Sequence, residues 1–341
     1  MSAKPPPVAQ RRPYRHSYHG VDLDDPYFWL QDPGYPQVED TDVLAYLDEE
    51  NAYFESWYEP HRGLTQTLFE ELKGRKPEQD ESVPYEKNGY RYQWRFNAGD
   101  QYRVWLRQAT TDDSEQWSTL LNENTLAEGC EYFRLGALAV SPDGTMLAFS
   151  TDTNGSERFT LKVIDIASGE VLTTAIQNCA GSVVWNADGD GFAYRLVNEN
   201  WRPDKALYRS LLGGDDALLY QEEDDAFFVG LGLSQSEQLM FITSGDHVTS
   251  EVRFVPRANL LAEQELIQGR REGHEYDVEH QGDSAETGRL IIRSNRNHPN
   301  FDLFETPMAS TEEASWQMLL PGNANHYLMG HVAFADALVV C

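Results

Sequence analysis

A repeated pattern of four short strands constrains the fold of this chain more than any other feature. Each unit reads strand, tight turn, strand, longer loop, strand, turn and strand, and this order recurs along most of the sequence. Ser141, Asn186 and Ser234 occupy equivalent points of three consecutive units and lie 45 and 48 residues apart. The blades of a β-propeller repeat at roughly 40–50 residues, because each blade is one four-stranded sheet. The pattern therefore predicts a β-propeller.

The repeats also indicate how many blades the chain holds. A hairpin at Asn88-Gly89, a dipeptide typical of two-residue turns, precedes the first unit. The five units that follow begin at Leu138, Ser182, Val229, Tyr276 and Tyr327. Pro84 to Cys341 spans 258 residues, which at this spacing makes five to six blades. The structural alternative is a set of unrelated hairpins or a large sandwich, which rarely repeats one four-strand order.

The first 80 residues follow a different pattern. Their start is rich in proline, which predicts an extended arm over the first 36 residues. Apolar residues then recur at helical spacing in two stripes: Val43, Leu44, Leu47, Phe54, Trp57 and Tyr58, then Leu64, Leu68 and Leu72. Asp40 or Thr41 is expected to cap the first helix, and Pro60 can open the second. We expect residues 1–80 to form an arm with two helices, and residues 81–341 to form the propeller.

Composition excludes several classes of function. The chain has 27 basic and 56 acidic side chains, a net charge of −29, which disfavours binding to nucleic-acid phosphate. The acidity is either a solubility surface or a field that attracts cationic peptides. No run of about 18 apolar residues and no apolar signal-peptide core is present, so we expect no membrane association. Three widely spaced cysteines argue against a disulfide framework and favour a cytoplasmic location.

Catalytic and metal-binding motifs are absent from the sequence. No G-x-S-x-G elbow occurs, so no catalytic serine is assigned to this chain. His274 and His280 resemble a zinc motif, but the spacing is too long and the alternation is that of a strand. On a strand, these two histidines lie about 20 Å apart, which is too far to share zinc. We therefore expect no metal, and without a glycine-rich phosphate loop we expect no cofactor.

Acidic residues on one strand are the remaining candidates for a site. Alternation places Glu275, Asp277 and Glu279 on the face opposite the two histidines. One interpretation is an acid-lined tunnel that receives basic peptides, and the other is a solvated edge. A second acidic run, Glu222-Glu223-Asp224-Asp225, has the same two interpretations.

Several motifs resemble those of the prolyl oligopeptidase family of serine peptidases, and of its oligopeptidase B branch in particular. The family pattern DPY-x-WL-x-D matches residues 25–32, and YL-x-x-EN-x-Y matches residues 46–53. The oligopeptidase B resemblance rests on further segments in the same order: 80–84, 136–143, 181–185, 201–203, 227–231, 275–283 and 300–303. Phe28 departs from the family, where many relatives carry arginine, and residues 284–288 look like a small insertion.

The resemblance implies a seven-bladed propeller that caps an α/β-hydrolase domain holding a Ser-Asp-His triad. It also implies that the N-terminal arm and helices pack on the hydrolase domain, and that the complete enzyme cleaves short peptides after Lys or Arg. The propeller would then restrict substrate size. No triad residue can be carried over to this chain, because the matching region is missing, so this piece alone is expected to be inactive.

The end of the chain fits the same interpretation. Residues 335–341 form an apolar strand with no turn after it, and a closed seven-bladed ring needs another 60 residues or more. We therefore expect truncation before the hydrolase domain, which would follow in cis or as a separate chain. Two alternatives remain open: a stand-alone propeller that binds a peptide or protein, and a peptidase that cleaves after proline.

Overall fold

Two units divide the chain, Met1–Glu78 and Gln79–Cys341. The computed structural model describes residues 5–35, 37–112, 114 and 116–341. None of the helices in these ranges has the length and apolarity needed to cross a bilayer.

The first unit holds a small hairpin and two helices. Its elements are β1 (Arg15–Tyr18), β2 (Val21–Asp24), α1 (Thr41–Tyr58) and α2 (Arg62–Gly74). α1 begins where predicted, because the Asp40 carboxylate accepts the backbone N–H groups of Asp42 at 2.8 Å and Val43 at 3.2 Å. Pro60 lies in a short 3₁₀ turn, Glu59–His61, so α2 begins two residues later than Pro60.

Most apolar side chains of these two helices are exposed. In α1 only Val43 is buried, and α2 buries none of its residues. The exposed apolar set is Leu44, Leu47, Phe54, Trp57, Leu64, Leu68, Phe69 and Leu72. Both stripes predicted from the sequence are therefore present and mostly exposed, except for Val43, which is buried, and Tyr58, which is half-buried.

The second unit consists of antiparallel sheets that follow one another along the chain. Blade 1 contains β3 (Asp80–Glu81), β4 (Tyr85–Lys87), β5 (Tyr90–Phe96), β6 (Val104–Ala109) and β7 (Ser118–Asn122), and is followed by α3 (Glu123–Ala127). Blade 2 contains β8 (Arg134–Val140), β9 (Met146–Asp152), β10 (Phe159–Asp165) and the start of β11 (Ile176–Trp185). Blade 3 contains the end of β11, β12 (Gly191–Val197), β13 (Pro203–Ser210) and β14 (Ala217–Gln221).

The remaining sheets repeat this arrangement. Blade 4 contains β15 (Phe228–Leu233), β16 (Leu239–Gly245), β17 (Ser250–Pro256) and β18 (Glu265–Gln268). Blade 5 contains β19 (Tyr276–Gln281), β20 (Arg289–Ser294), β21 (Asp302–Pro307) and β22 (Gln317–Leu320). The final hairpin pairs β23 (His331–Ala333) with β24 (Leu338–Val340). The described residues thus form five blades and the beginning of a sixth, which confirms an all-β propeller with a helical N-terminal extension. Blade 1, over residues 80–122, lies before the five repeat units that were predicted from the sequence, which begin at Leu138.

One long strand joins two blades. The first part of β11 pairs with β10, as at Cys179 opposite Phe159, whereas Cys179 and the last three residues of β11 pair with β12. In the pairing with β12, the register shifts between Cys179 and Val183, where Gly181 lies. A Cβ atom at Gly181 would lie 3.3 Å from the backbone of Gly136, so the close approach of β11 and β8 favours glycine here.

The turn between the first and second strands has the same hydrogen bonds in three consecutive blades. Ser141, Asn186 and Ser234 each donate a backbone N–H to a carbonyl five residues later, at 2.9, 3.0 and 2.9 Å. The side-chain oxygen of each accepts the backbone N–H of that same later residue. All three residues are buried. They are therefore structurally equivalent, as the repeat spacing predicts.

The fourth position of this turn has a left-handed backbone. Gly144 and Gly189 both have φ of 75°, and Glu237 has φ of 58° at the same position of the next blade. A residue with a Cβ costs about 1–2 kcal/mol more than glycine in this conformation. Blade 4 therefore keeps a glutamate where the backbone favours glycine, which suggests that the side chain has a role.

The cores lie between neighbouring blades. One buried cluster joins Phe241 and Phe254 of blade 4 to Tyr276 and Ile292 of blade 5, and similar clusters join the other blades in order. Trp185 also donates its indole N–H to the carbonyl of Ala139 at 2.9 Å, which links blade 3 to blade 2. Packing of each sheet on the next is the arrangement of a propeller.

Candidate functional site on the inner strands

The first strand of each blade forms the inner edge of the propeller unit. β8, β15, β19 and β23 each begin a sheet and pair with a neighbour on one side only. First strands of neighbouring blades contact one another, as β8 does with β11, β11 with β15, and β19 with β23. In a propeller these strands surround a central channel. A molecule in the channel therefore meets their side chains and free backbone edges.

A cavity of about 190 Å³ lies at the carboxyl ends of these strands. Four blades contribute to its walls, through Tyr85 and Lys87, Leu138 and Val140, Val183 and Trp185, and Leu233 and Arg257. Residues of four blades therefore meet at this cavity.

Glu237 connects two cations beside this cavity. One oxygen, Oε1, forms an ion pair with Nζ of Lys87, and Oε2 lies 2.6 Å from Nη1 of Arg257. Arg257 also donates from Nε to the carbonyl of Trp185 at 3.1 Å. Although burial alone raises the pKa of Glu237, Lys87 and Arg257 outweigh it and hold the pKa below its ordinary value. Glu237 of blade 4, whose backbone is left-handed, is thus connected to blade 1 through its ion pair with Lys87.

Asp277 on β19 is one of the three predicted tunnel residues and is neutralised by a cation. Its Oδ2 lies 2.7 Å from Nε of Arg293, and its Oδ1 lies 3.4 Å from Nδ1 of His331 on the final hairpin. Arg293 stacks on Phe301 at 4.2 Å and donates to the carbonyl of Leu328 at 2.9 Å. The Asp277 side chain is 47% exposed, so a ligand can still reach it.

Burial lowers the pKa of His331, and Asp277 partly opposes this effect. The His331 side chain is only 2% exposed. Its neutral form is therefore favoured near pH 7.

Glu279 lies two residues further along β19 and is half-buried. Its Oε1 accepts the backbone N–H of Gln235 at 2.7 Å and that of His280 at 2.7 Å. Burial raises the pKa of Glu279 above its ordinary value, although these two hydrogen bonds oppose the rise. The carboxylate therefore links the first turn of blade 4 to blade 5.

Glu275 lies just before β19 and is also half-buried. Asn295 donates its amide to Oε1 of Glu275 at 3.3 Å and accepts the backbone N–H of Glu275 at 2.9 Å. The three predicted tunnel carboxylates therefore share a strand region but have separate partners. Their role towards a substrate stays a prediction.

The two histidines on this segment serve as structural hydrogen-bonding groups. His274 contacts the Ser294 hydroxyl at 2.8 Å, and His280 contacts the Ser236 hydroxyl at 2.7 Å and the Thr287 carbonyl at 2.9 Å. Both side chains are buried, and burial lowers the pKa of each. Within the described ranges, no group of three His, Cys, Asp or Glu side chains is arranged to hold a metal ion.

The second acidic run divides into one buried and three exposed residues. Glu222 is buried, and its Oε2 lies 2.7 Å from Nη2 of Arg270, whereas residues 223–225 are exposed. Although burial alone raises the pKa of Glu222, hydrogen bonds from Arg270 and Ser244 outweigh it and hold the pKa at about 2. The solvated interpretation is therefore wrong for Glu222, which connects blades 3 and 4. Its main partners, Ser244 and Arg270, lie 22 and 48 residues later in the chain.

A comparison with protein families agrees with the fold. The family described as "Prolyl oligopeptidase, N-terminal beta-propeller domain" matches residues 6–341. The chain therefore belongs to the prolyl oligopeptidase family and corresponds to its N-terminal propeller domain.

Two named relatives are similar to the chain over almost its whole length. It is 30% identical to Protease 2 of Moraxella lacunata over 98% of this chain and 48% of that protein. It is 31% identical to dipeptidyl aminopeptidase BI of Pseudoxanthomonas mexicana over 99% of this chain and 48% of that protein. The chain thus spans about half the length of these relatives.

Solved structures show the same fold. Oligopeptidase B from Leishmania major matches 99% of this chain and 49% of its own, with a TM-score of 0.89 and 23% identity. Oligopeptidase B from Trypanosoma brucei matches 98% of this chain over 49% of its own length, with a TM-score of 0.85 and 25% identity. The resemblance to the N-terminal half of oligopeptidase B, inferred from the sequence motifs, is confirmed.

Proposed function

We propose that this chain is the substrate-admitting half of an oligopeptidase B-like serine peptidase that cleaves short peptides after Lys or Arg. The observation that carries the proposal is the family match across residues 6–341, together with relatives of which the chain covers 48%. Catalysis then resides in a hydrolase domain that contributes the serine, aspartate and histidine. The sequence of this chain has no G-x-S-x-G elbow, so the chain alone is inactive.

The proposed role of the propeller is to limit substrate size. Lys87 and Glu237 connect blade 1 to blade 4 beside the central cavity, so a wide passage at this end requires that ion pair to open. Movement of the two halves relative to each other admits substrate, as in other enzymes with gated sites. Glu275, Asp277 and Glu279 are proposed to favour cationic peptides along the passage.

The exposed apolar side chains of α1 and α2 support the proposal that a hydrolase domain packs on the first unit. Eight large apolar side chains of α1 and α2 are exposed, an arrangement that marks an interaction surface. We propose that the hydrolase domain, in cis or as a separate chain, covers them. The three free cysteines favour a reducing location, so we propose that the enzyme works in the cytoplasm.

A second candidate comes from the 31% identity to a protein named dipeptidyl aminopeptidase BI. In that case, the complete enzyme removes dipeptides from a free amino end. Paired chromogenic peptides with free and acetylated amino ends distinguish the two. Equal cleavage of both supports the endopeptidase, and loss of cleavage upon acetylation supports the aminopeptidase.

The experiment that tests the main proposal has two arms. Translation of the coding sequence past Cys341 should contain a G-x-S-x-G elbow, and the polypeptide that includes it should hydrolyse Lys- and Arg-containing chromogenic peptides. Residues 1–341, purified alone, should not hydrolyse them. Activity of the purified chain alone, or a continuing sequence without the elbow, would overturn the proposal and favour a binding module.

A further inference from the structure

An open cleft of about 560 Å³ runs along the inner strand of blade 4. We call it the β15 cleft; its main walls are Arg195, residues 228–232, Asp246, and residues 276–278. It reaches from blade 3 at one end to blade 5 at the other, and both ends carry charged side chains. Arg195 lies at the blade 3 end, and Asp277, which is ion-paired with Arg293, lies at the blade 5 end.

Arg195 is a partly buried cation without an acidic partner. Its Nε donates to the Ser182 hydroxyl at 2.9 Å, and its Nη1 donates to the carbonyl of Val229 at 2.6 Å. Among the residues that the structure describes, no carboxylate lies within ion-pair distance of Arg195, and its Nη2 donates no hydrogen bond. Burial lowers the pKa of Arg195 below its ordinary value, yet guanidinium groups stay charged in proteins.

Three other partly buried arginines of this unit have acidic partners, whereas Arg107 and Arg158 donate only to backbone carbonyls. Arg257 holds Glu237, Arg270 holds Glu222, and Arg293 holds Asp277. A buried charge without a counter-ion is unfavourable, because desolvation is not offset by Coulomb attraction. Because Arg195 has no carboxylate partner and also lines the open β15 cleft, an external anion can reach it there.

The backbone beside Arg195 is unusually accessible. β15 pairs with β16 on one side only, and residues 230 and 232 are both glycine. A Cβ atom at Gly232 would meet nothing within 4 Å, so open space lies in front of this strand. At these glycines, the unpaired edge of β15 can accept an extended peptide by strand addition. The carbonyl of Val229, on the same strand, is already held by Arg195.

The far end of the cleft suits a cationic group. Asp246 uses Oδ1 to accept the backbone N–H groups of Val248 and Thr249, at 2.8 and 2.7 Å. Asp277 is 47% exposed. An extended peptide with its carboxylate at Arg195 would therefore direct lysine, arginine or its amino end towards Asp246, and towards Asp277 beside its partner Arg293.

We propose that the β15 cleft binds short peptides by their free C-terminal carboxylate, which Arg195 holds while the peptide backbone lies along Gly230 and Gly232. This inference rests on the proposed function for its ligand class and adds a site that anchors one end of the peptide inside the propeller. Arg195 is a binding residue here and takes no part in bond cleavage.

Isothermal titration calorimetry of the chain with one pentapeptide in two forms tests this site. The peptide has four alanines and one lysine, and is compared as the free acid and as the C-terminal amide. We expect the acid to bind at least ~10-fold more tightly, the usual size of one charge-assisted contact. A third peptide, amidated and ending in glutamate, tests whether a side-chain carboxylate can replace the C-terminal one. It should bind as weakly as the amide.

Two variants complete the test. Arg195→Met removes the charge at similar volume and should bind acid and amide equally, with an unchanged or higher unfolding temperature. If this variant fails to fold, Arg195→Lys keeps the charge and should retain the preference for the acid. Gly232→Leu fills the open space and should weaken both forms, while circular dichroism reports a native fold.

The opposite results are equally informative. Equal binding of acid and amide by the unmodified chain, or a preference that survives Arg195→Met, overturns the carboxylate site. Those results leave the peptidase proposal intact, because it is tested by hydrolysis in the polypeptide that extends past Cys341.

Discussion

Lys87 of blade 1 forms an ion pair with Glu237 of blade 4. The pair lies beside a cavity that residues of blades 1 to 4 line. Glu237 adopts a left-handed backbone at a position where the two preceding blades have glycine. The ion pair offers a physical reason for this exception. The two side chains are 45% and 32% exposed, so we expect the pair to contribute little to stability.

The first prediction concerns this pair. Lys87→Met should change the free energy of unfolding by less than ~1 kcal/mol, because partly exposed ion pairs contribute little. In the complete enzyme, it should raise the relative cleavage rate of longer peptides, because the passage is less obstructed. Arg134→Met is the control, since it breaks the exposed Arg134–Glu157 pair on blade 2. Identical length preferences in the variant, the control and the unmodified enzyme would contradict a gating role.

The second prediction separates backbone strain from the ion pair. Glu237→Gly removes both the pair and the left-handed strain, whereas Glu237→Gln removes the charge and keeps the strain. Glycine at this position should be more stable than glutamine by about 1 kcal/mol, as measured by urea unfolding. A less stable glycine variant would show that the turn does not strain the glutamate.

The third prediction concerns the link between blades 3 and 4. Glu222→Gln should destabilise the chain by about 2–3 kcal/mol, because Arg270 loses the closer of its two buried carboxylate partners, Glu222 at 2.7 Å, and keeps only Glu251 at 3.6 Å. Glu223→Gln, at the adjacent exposed position, should change stability by less than about 0.5 kcal/mol. Chemical unfolding of both variants provides the comparison. Equal effects would mean that the acidic run acts only as surface charge.

The fourth prediction is a pH dependence. The folded pKa of Glu222 is about 2, below its ordinary value of 4.5, so its contribution is present above pH 4.5 and is lost as pH falls towards 2. Over this window, the unmodified chain should lose up to about 3 kcal/mol more stability than Glu222→Gln, because the folded and unfolded pKa values differ. Parallel stability curves from urea unfolding at each pH would contradict the assignment. Glu279 acts in the opposite direction, because burial raises its pKa.

The fifth prediction follows from the contact between Asp277 and His331. Burial lowers the pKa of His331 and Asp277 raises it, so Asp277→Asn should lower the His331 pKa further. Proton NMR titration of the His331 ring measures this change. Asp283→Asn, on the loop after β19, is the control. An unchanged His331 pKa in Asp277→Asn would show that the 3.4 Å contact carries no electrostatic coupling.

Local and repeated features of the fold were predictable from the sequence. The equivalence of Ser141, Asn186 and Ser234 follows from spacing alone, and the Asn88-Gly89 hairpin has left-handed φ values of 49° and 78° at its turn. The α1 cap at Asp40 was also predictable, since capping depends on adjacent residues.

Contacts between distant residues were not predictable in this way. Glu222 with Arg270 and Lys87 with Glu237 join residues on different blades, and no local pattern encodes such pairs. A signal for Glu237 was present, because the turns Ser-Pro-Asp-Gly and Asn-Ala-Asp-Gly are followed by Ser-Gln-Ser-Glu. The sequence gives no sign that Arg195 lacks a carboxylate partner, because this depends on which side chains lie near it in the folded chain.

Hydrolysis of matched chromogenic peptides that present Arg, Pro or Ala at the cleavage site is the most direct measurement. We expect the polypeptide that continues past Cys341 to cleave after Arg at least ~10-fold faster than after Pro, a difference of about 1.4 kcal/mol in transition-state binding. Residues 1–341 alone should cleave none of the three. Cleavage by residues 1–341, or a preference for Pro in the longer polypeptide, would contradict the assignment to an oligopeptidase B-like peptidase with its catalytic groups outside this chain.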